Sequence, residues 1–303
     1  MTDQSSPRPA APDTDALLAR RLAAAGLEVR SLRPVTGGMA AVARIATLSD
    51  GSEVFAKTLT PVPGPDLFEV EAEGLAALRD LGGVATPEAV RVAPDVLVLR
   101  ALRPRPDTPR FWERLGRAVA ALHTTTVTDR FGWHRDGWLG RMRQDNTWHD
   151  SGHEFYARRR ILRWLPEPHV RAAFDREDRR ALERLCERLP EIVPDIPASL
   201  THGDLWTTNI IADERGEPVL VDPAVSYNWP ETDISMLWCT PRPPESDHFF
   251  AAYEEAARPE PGWRERLPVL YLRELLCVIA HGDDHWGAAD RVREVIAPFR
   301  RRG

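Results

Sequence analysis

The amino-acid sequence predicts an α+β protein of two lobes, and three observations lead there. Short β-rich runs crowd the N-terminal third, helical periods dominate the remainder, and the change falls at a proline cluster, Pro104, Pro106 and Pro109. The 303 residues are 43% hydrophobic, enough to bury a sizeable core in one large domain or two lobes.

Residues 1–13, rich in Pro, Ser and Ala, read as a disordered lead-in with neither the basic nor the apolar region of a signal peptide. Asp13 or Thr14 can cap a first helix, with Leu17, Leu18 and Leu22 on one stripe and Gly26 ending it. Strands are expected at 27–35, 41–48 and 53–59, the last two joined by Asp50-Gly51, a strong hairpin signal. Pro61, Pro63 and Pro65 precede a helix at 66–81, and two more strands follow at 89–93 and 96–102. Residues 14–103 therefore form a small lobe of five antiparallel strands and one inserted helix. Residues 104–303 form a mainly helical lobe, with helices expected at 111–123, 154–165, 171–189, 248–257 and 264–281. A short β hairpin interrupts them near 209–212 and 218–221, around a polar turn.

A net charge of −6 argues against a nucleic-acid partner, which would need a basic face, and leaves small cationic substrates compatible. No run approaches the length of a membrane-spanning helix, so a soluble protein is expected. Cys186, Cys239 and Cys277 are far apart and odd in number, which fits a reducing cytoplasm better than a disulfide framework. Of 40 basic residues, every one but Lys57 is arginine. An ammonium is a compact point charge and a guanidinium a broad fork, so a site needing the former would explain the exception.

The chemistry concentrates in His202-Gly203-Asp204-Leu205-Trp206-Thr207-Thr208-Asn209. Its spacing is that of the kinase catalytic loop His-Arg-Asp-x4-Asn, with Gly in place of Arg. Phosphoryl transfer needs a carboxylate to take the acceptor's proton, here Asp204, and an amide oxygen nearby for a metal, here Asn209. Val219-Leu220-Val221 is an apolar strand ending in Asp222, placed to be the second Mg²⁺ ligand beside ATP phosphates. Val54-Phe55-Ala56-Lys57 has the form of the strand that supplies a phosphate-pairing lysine. Helix 66–81 offers Glu69, Glu71 and Glu73 as partners for that lysine, of which one can face inward; the others read as solvated. Gly37 and Gly38 are expected over the phosphates, and adenine against main chain near Arg100 and Leu102. Walker A is absent. The pairs His149/His153 and His281/His285 have helical metal-ligand spacing but no third ligand at a recognisable offset.

These residues resemble the fructosamine kinase (ketosamine-3-kinase) family, a branch of the aminoglycoside-phosphotransferase-like kinases with a protein-kinase-like fold. The likeness rests on His202-Gly203-Asp204-Leu205-Trp206 with Asn209, on Gly216-Glu217-Pro218, on Asp222-Pro223-Ala224 and on Tyr227 with Glu231-x-Asp233. Upstream it includes Gly37-Gly38, Lys57, Glu71-x-x-Gly74, Leu122-His123 and Gln144-x-Asn146. The resemblance implies Glu71 as partner of Lys57, Asp204 as base, Asn209 and Asp222 as Mg²⁺ ligands, and Trp206 as a wall of the acceptor pocket. It implies ATP-dependent phosphorylation of the 3-hydroxyl of a ketosamine, free or carried on glycated protein lysines. Glu231 and Asp233 read equally as partners of a substrate amine or as supports of the catalytic loop, with Tyr227 beside them on the substrate side.

The chain departs from the family pattern at Met39-Ala40-Ala41, at Pro230 and at Cys239–Pro244, all on the acceptor side. An aminoglycoside, amino-sugar or other metabolite kinase of the same fold is therefore the alternative acceptor assignment, and a non-catalytic nucleotide-binding protein the alternative class. Too few residues separate Asp222 from Asp233 for the long activation segment of a protein kinase, and no Ala-Pro-Glu follows.

Overall fold

The structure is a computed structural model and describes residues 14–35, 41–284 and 286–300. By packing, the chain divides into two units. The first comprises residues 1–69 and 88–101, the second residues 70–87 and 102–303. The chain passes between the units at 69/70, 87/88 and 101/102, so residues 70–87, placed by sequence with the small lobe, group with the second unit.

In the first unit α1 (Thr14–Ala24) lies against a five-stranded antiparallel sheet of β1 (Val29–Pro34), β2 (Val42–Leu48), β3 (Glu53–Thr58), β4 (Ala89–Ala93) and β5 (Val96–Arg100), in the order β1-β2-β3-β5-β4. Leu18 and Leu22, one helical turn apart, reach the same sheet face and close a core with Ala46, Val54, Ala56, Val96 and Val98. Arg21 fastens the helix by donating to Thr58 Oγ1, to the Leu59 carbonyl at 2.9 Å and to the Asp95 carbonyl at 3.2 Å. The Asp50-Gly51 turn forms as its chemistry requires: Gly51 takes φ +88° and the Asp50 carboxylate accepts the Ser52 N–H at 2.9 Å.

Helix α2 (Leu67–Asp80) passes from the first unit into the second, where Ala77 and Leu78 join the core beneath α3 (Pro109–Thr125). Thr108 caps α3, its Oγ1 accepting the Phe111 N–H, and Pro109 occupies the first helical position, where no N–H is needed. Two-stranded β6 (Gly137–Leu139) and β7 (Met142–Gln144) follow. The chain then forms α4 (Gly152–Phe155), α5 (Pro168–Ala173), α6 (Arg176–Glu187) and α7 (Leu189–Ile192). Next come β8 (Ser199–Thr201), β9 (Ile210–Ala212), β10 (Pro218–Leu220) and β11 (Ser226–Asn228), pairing as β9 with β10 and β8 with β11. The closing helices are α8 (Glu231–Cys239), α9 (Asp247–Ala257), α10 (Trp263–Leu270), α11 (Leu272–Ala280) and α12 (Ala288–Ile296).

Three long helices expected from periodicity are broken. The run at 154–165 starts as α4 and continues as a π turn, Tyr156–Ile161, and a 3₁₀ turn, Leu162–Trp164. The run at 171–189 restarts at Asp175, where Asp175 and Asp178 form a reciprocal capping box that begins α6. The run at 264–281 divides between Leu270 and Leu272, shortly after Pro268, which has no N–H to continue the ladder. No helix of the described residues is long and apolar enough to cross a membrane.

The tightest helix contact is that of α3 with α9, set by Gly116. A Cβ built there would lie 2.4 Å from the Phe249 carbonyl oxygen. Gly116→Val should cost about 1–3 kcal/mol through overpacking, read as a lower urea midpoint with an unchanged m-value.

Candidate active site

The catalytic segment connects β8 to β9, and its geometry begins with a glycine. Gly203 has φ +78°, and a Cβ on it would sit 2.1 Å from the Ala224 carbonyl oxygen. A side chain is excluded twice over, by backbone conformation and by space, so Gly replaces the Arg of the general kinase pattern for a local reason. That close approach brings the segment after β10 against the loop, where the Ala224 N–H donates to the His202 carbonyl at 2.8 Å.

Asn209 completes the first half of the site. Its Nδ2 donates to the Asp204 carbonyl at 2.9 Å and to Asp204 Oδ2 at 3.0 Å, a network that leaves the amide oxygen as donor to a cation. The Asn209 carbonyl accepts the Val221 N–H at 3.0 Å, which sets Asp222 beside it. Asp222 takes φ +56°, a strained backbone for a non-glycine residue. His202 bridges the two limbs: Nε2 donates to the Val221 carbonyl at 2.9 Å and Nδ1 accepts the Asp204 N–H at 3.2 Å. Burial lowers its pKa, so the ring is neutral and this tautomer satisfies both bonds.

Asp233, at the start of α8, is 0% exposed. Its carboxylate accepts the N–H groups of His202 at 2.7 Å and Gly203 at 2.8 Å, and a third bond from His123 Nε2 at 3.2 Å. His123 Nδ1 in turn meets the Tyr253 hydroxyl at 3.0 Å. Burial opposes ionisation of Asp233, but the hydrogen bond from His123 and the Gly203 N–H outweigh it and hold its pKa below the ordinary value.

On the other side, Arg273 of α11 donates to the Gly203 carbonyl and to Gln144 Oε1, each at 2.6 Å, and pairs with Glu274. Asp204 remains partly exposed, yet desolvation pushes its pKa well above the ordinary carboxylate value. Glu274 and Asp222 add to that rise, and Arg273 opposes it. A carboxylate so placed binds a proton more readily than one in water, as a general base for a hydroxyl requires.

The two acidic residues read as ambiguous resolve in one direction. Asp233 spends both oxygens on the loop, and Glu231, 2% exposed, is held by Arg266 through two bonds of 2.5 Å. Neither carboxylate is available to a substrate amine, which corrects their assignment to the substrate side. Tyr227, half-buried on β11, packs its ring between Trp133 and Trp148, with centroids at 5.7 and 5.9 Å. Glu73 is not simply solvated: it accepts from Trp133 Nε1 at 3.1 Å and Arg135 at 3.2 Å, and pairs with His134 at 2.7 Å. Glu71 is half-buried on α2 in the second unit, while Lys57, in the first, is 6% exposed in β3 between Ala43 and Leu97. The Arg100 N–H is already committed to the Glu88 carbonyl at 3.0 Å, so it is not a free donor for adenine. Leu102, in the second unit, is half-buried. Gly37, Gly38 and His285 lie outside the described residues.

The described histidines of the two pairs are engaged elsewhere. His149 Nδ1 accepts the Ser151 N–H, His153 Nε2 meets the Val193 carbonyl, and His281 bonds the Cys277 carbonyl and the Arg141 N–H. Among the described residues no group of three or more His, Cys, Asp or Glu could hold a metal. The Asn209 amide oxygen and the Asp222 carboxylate are hard oxygen donors suited to Mg²⁺, which takes few protein ligands and fills its shell with phosphate and water.

The profile of the fructosamine kinase family matches residues 13–293. The chain belongs to the fructosamine kinase family. It is 30% identical over 247 residues to a "probable ketoamine kinase" of Synechocystis, covering 80% of this chain and 81% of that protein. A chloroplastic protein-ribulosamine 3-kinase of Oryza sativa subsp. japonica is 30% identical over 240 residues, covering 75% and 67% of the two chains. A crystal structure of a Thermobifida fusca protein, provisionally assigned as a fructosamine-3-kinase, superposes with a TM-score of 0.79 and 30% identity over 92% of this chain and 98% of that one. The fold is thus the protein-kinase-like α+β fold of this family. Sequence reasoning within the family pattern missed the roles of Arg273, Glu274 and His123; a charged pair inside the apolar run of α11 was the available signal for the first two.

Asp233→Asn should cost about 3 kcal/mol at neutral pH, because the amide nitrogen must face the N–H of either His202 or Gly203 in a buried site. A depressed folded pKa contributes stability that is present above the unfolded value, about 3.9, and is lost as pH falls through the folded one. Urea midpoints of the wild type should therefore drop with acid in that window, and the Asn variant should show a flatter profile. Glu231→Gln should also cost about 3 kcal/mol by stranding Arg266, with acceptor KM unchanged in steady-state assays.

Proposed function

We propose that this protein transfers the γ-phosphoryl group of ATP to the 3-hydroxyl of a ketosamine, a sugar joined to an amine through an Amadori linkage. The observation that carries the reading is the Asp204 carboxylate held by Asn209 at 3.0 Å, with Asp222 brought alongside by the Val221 N–H to Asn209 carbonyl bond. Family membership and the ketoamine and ribulosamine kinases among the relatives support the choice of acceptor.

In this reading Asp204 accepts the proton of the acceptor hydroxyl as its oxygen bonds the γ-phosphorus and the bond from phosphorus to the bridging oxygen breaks, releasing ADP. Asn209 and Asp222 would hold Mg²⁺, which would offset the negative charge of the phosphates. Lys57 pairs with ATP phosphates, its compact ammonium serving where an arginine would not, and Glu71 steadies it. Gly37 and Gly38 cover the phosphates, with main chain near Leu102 at the adenine. Trp206 lines the acceptor site. Free ketosamines and glycated lysines of proteins both carry the required group. Three free thiols, two of them buried, suit a reducing cytoplasm.

The test is ATP consumption with Mg²⁺ across fructosamines, ribulosamines, a glycated protein, free amino sugars and aminoglycosides. Turnover concentrated on ketosamines supports the reading; turnover confined to amino sugars or aminoglycosides overturns the acceptor while keeping the chemistry. Asp204→Asn should lower kcat by at least about a hundredfold with ATP binding retained by calorimetry. Lys57→Arg should also fail, and near-normal turnover in that variant would overturn the role of the lone lysine.

A further inference from the structure

Trp206 follows the proposed base by two residues, and its backbone N–H donates to the Asp204 carbonyl at 3.1 Å. That tight turn holds the Trp206 backbone close to that of Asp204. A second indole meets that of Trp206 from a distant part of the chain: the rings of Trp206 and Trp286 lie 5.8 Å apart at an interplanar angle of 53°. Both side chains are partly exposed, so the pair is an open aromatic corner and not a closed core contact.

The chain on either side of Trp286 is anchored by hydrogen bonds. At the end of α11 the N–H groups of His281, Gly282 and Asp283 bond the carbonyls of Cys277, Ile279 and Val278 at 3.0, 2.9 and 3.2 Å. At the start of α12 the Gly287 N–H bonds the Asp284 carbonyl and the Ala289 N–H bonds Asp284 Oδ1, each at 3.2 Å. Helix α11 is itself tied to the catalytic loop through Arg273 and the Gly203 carbonyl at 2.6 Å. One frame therefore carries the base, the first indole and the second.

A ketosamine brings two features that indole faces bind: a C–H-rich sugar face and a secondary amine, protonated at neutral pH. Cations are attracted to the negative face of an indole, and Asp283 and Asp284 in the same segment add negative potential. With the reacting hydroxyl at Asp204, the sugar carbons lie nearest Trp206, and the amine, a few bonds further along, falls to the second ring. We infer that Trp286 is a specificity-determining residue of the acceptor site, receiving the protonated amine while Trp206 packs on the sugar. This rests on the ketosamine kinase reading above. It also supplies a receptor for the amine in place of Glu231 and Asp233, whose oxygens are spent.

The experiment compares wild type with Trp286→Ala, Trp286→Leu and Trp286→Phe in the full chain, measuring KM for fructosyl-lysine and for ATP together with kcat. Ala and Leu should each raise the fructosyl-lysine KM roughly tenfold, with the ATP KM unchanged and the smaller share of the loss in kcat; Phe should recover most of it. Should Ala unfold, Leu and Phe carry the comparison, because Leu keeps bulk and removes the π face. Recovery by Leu as complete as by Phe would reduce the residue to packing and overturn the inference. Unchanged acceptor KM in all variants of an active enzyme would overturn it alone, whereas a wild type inactive on every ketosamine would overturn the functional reading and this inference together.

Discussion

Two consecutive backbone N–H groups, those of His202 and Gly203, point at one buried carboxylate, Asp233, and the geometry of the site hangs from that convergence. Consecutive N–H groups can face the same way only if the chain turns sharply, which puts Gly203 in a left-handed conformation. The turn exposes the Gly203 carbonyl to Arg273 and lets Ala224 approach where a side chain would stand. Ala224 and Val221 then carry the Asp222 limb against the Asp204 limb, with neutral His202 wedged between them. Desolvating Asp233 is costly, and it stays ionised because three donors face it. Rigidity of this kind keeps Asp204, Asn209 and Asp222 in register without help from a bound ligand.

The near-absence of lysine acquires a structural meaning from the same region. Arg160, Arg266 and Arg273 are all buried, and each uses its planar fork on several acceptors at once: Arg160 on the Asp145 carbonyl, Asn146 and Ser226, Arg266 on Glu231 and the Pro261 carbonyl, Arg273 on Gly203, Gln144 and Glu274. An ammonium could not span such sets in a fixed plane. Burial disfavours the charged form of each carboxyl nearby, so Asp204 and Glu274 are both shifted upward although Arg273 lies between them and opposes the shift. Besides desolvation, residues on a helix far along the chain thus act on the Asp204 carboxyl.

The residues of the candidate catalytic loop were the most legible ones. Asp204, Asn209 and Asp222 stand within one short stretch, and loop geometry relates them through local bonds such as that from Val221 to Asn209, so their spacing carried the information. Strand β2 and helix α3 were legible for a different reason: the alternation of one and the turn-by-turn apolar pattern of the other match the face each buries. The pairs β6–β7 and β8–β11 were not, because three-residue strands are too short to show a period. The split of the 264–281 helix was readable in principle from Pro268, and that of 171–189 from the Asp175 capping box, but continuous apolar periodicity masked both.

What the sequence by itself determined is the candidate chemistry: which carboxylate stands at the spacing of a kinase base, which oxygens suit a hard cation, and which cation in the chain is the lone lysine. Those are properties of residue type and short-range spacing, and they survive any arrangement of the distant parts. Tertiary structure alone decided the supporting roles. It spent Glu231 on Arg266 and Asp233 on the loop, placed Glu73 under Trp133 and Arg135, and set Trp286 against Trp206. A carboxylate or an indole has the same local sequence signature whether it meets substrate or protein. Which of the two it meets depends on desolvation and on partners from remote segments, and only the packed chain supplies either.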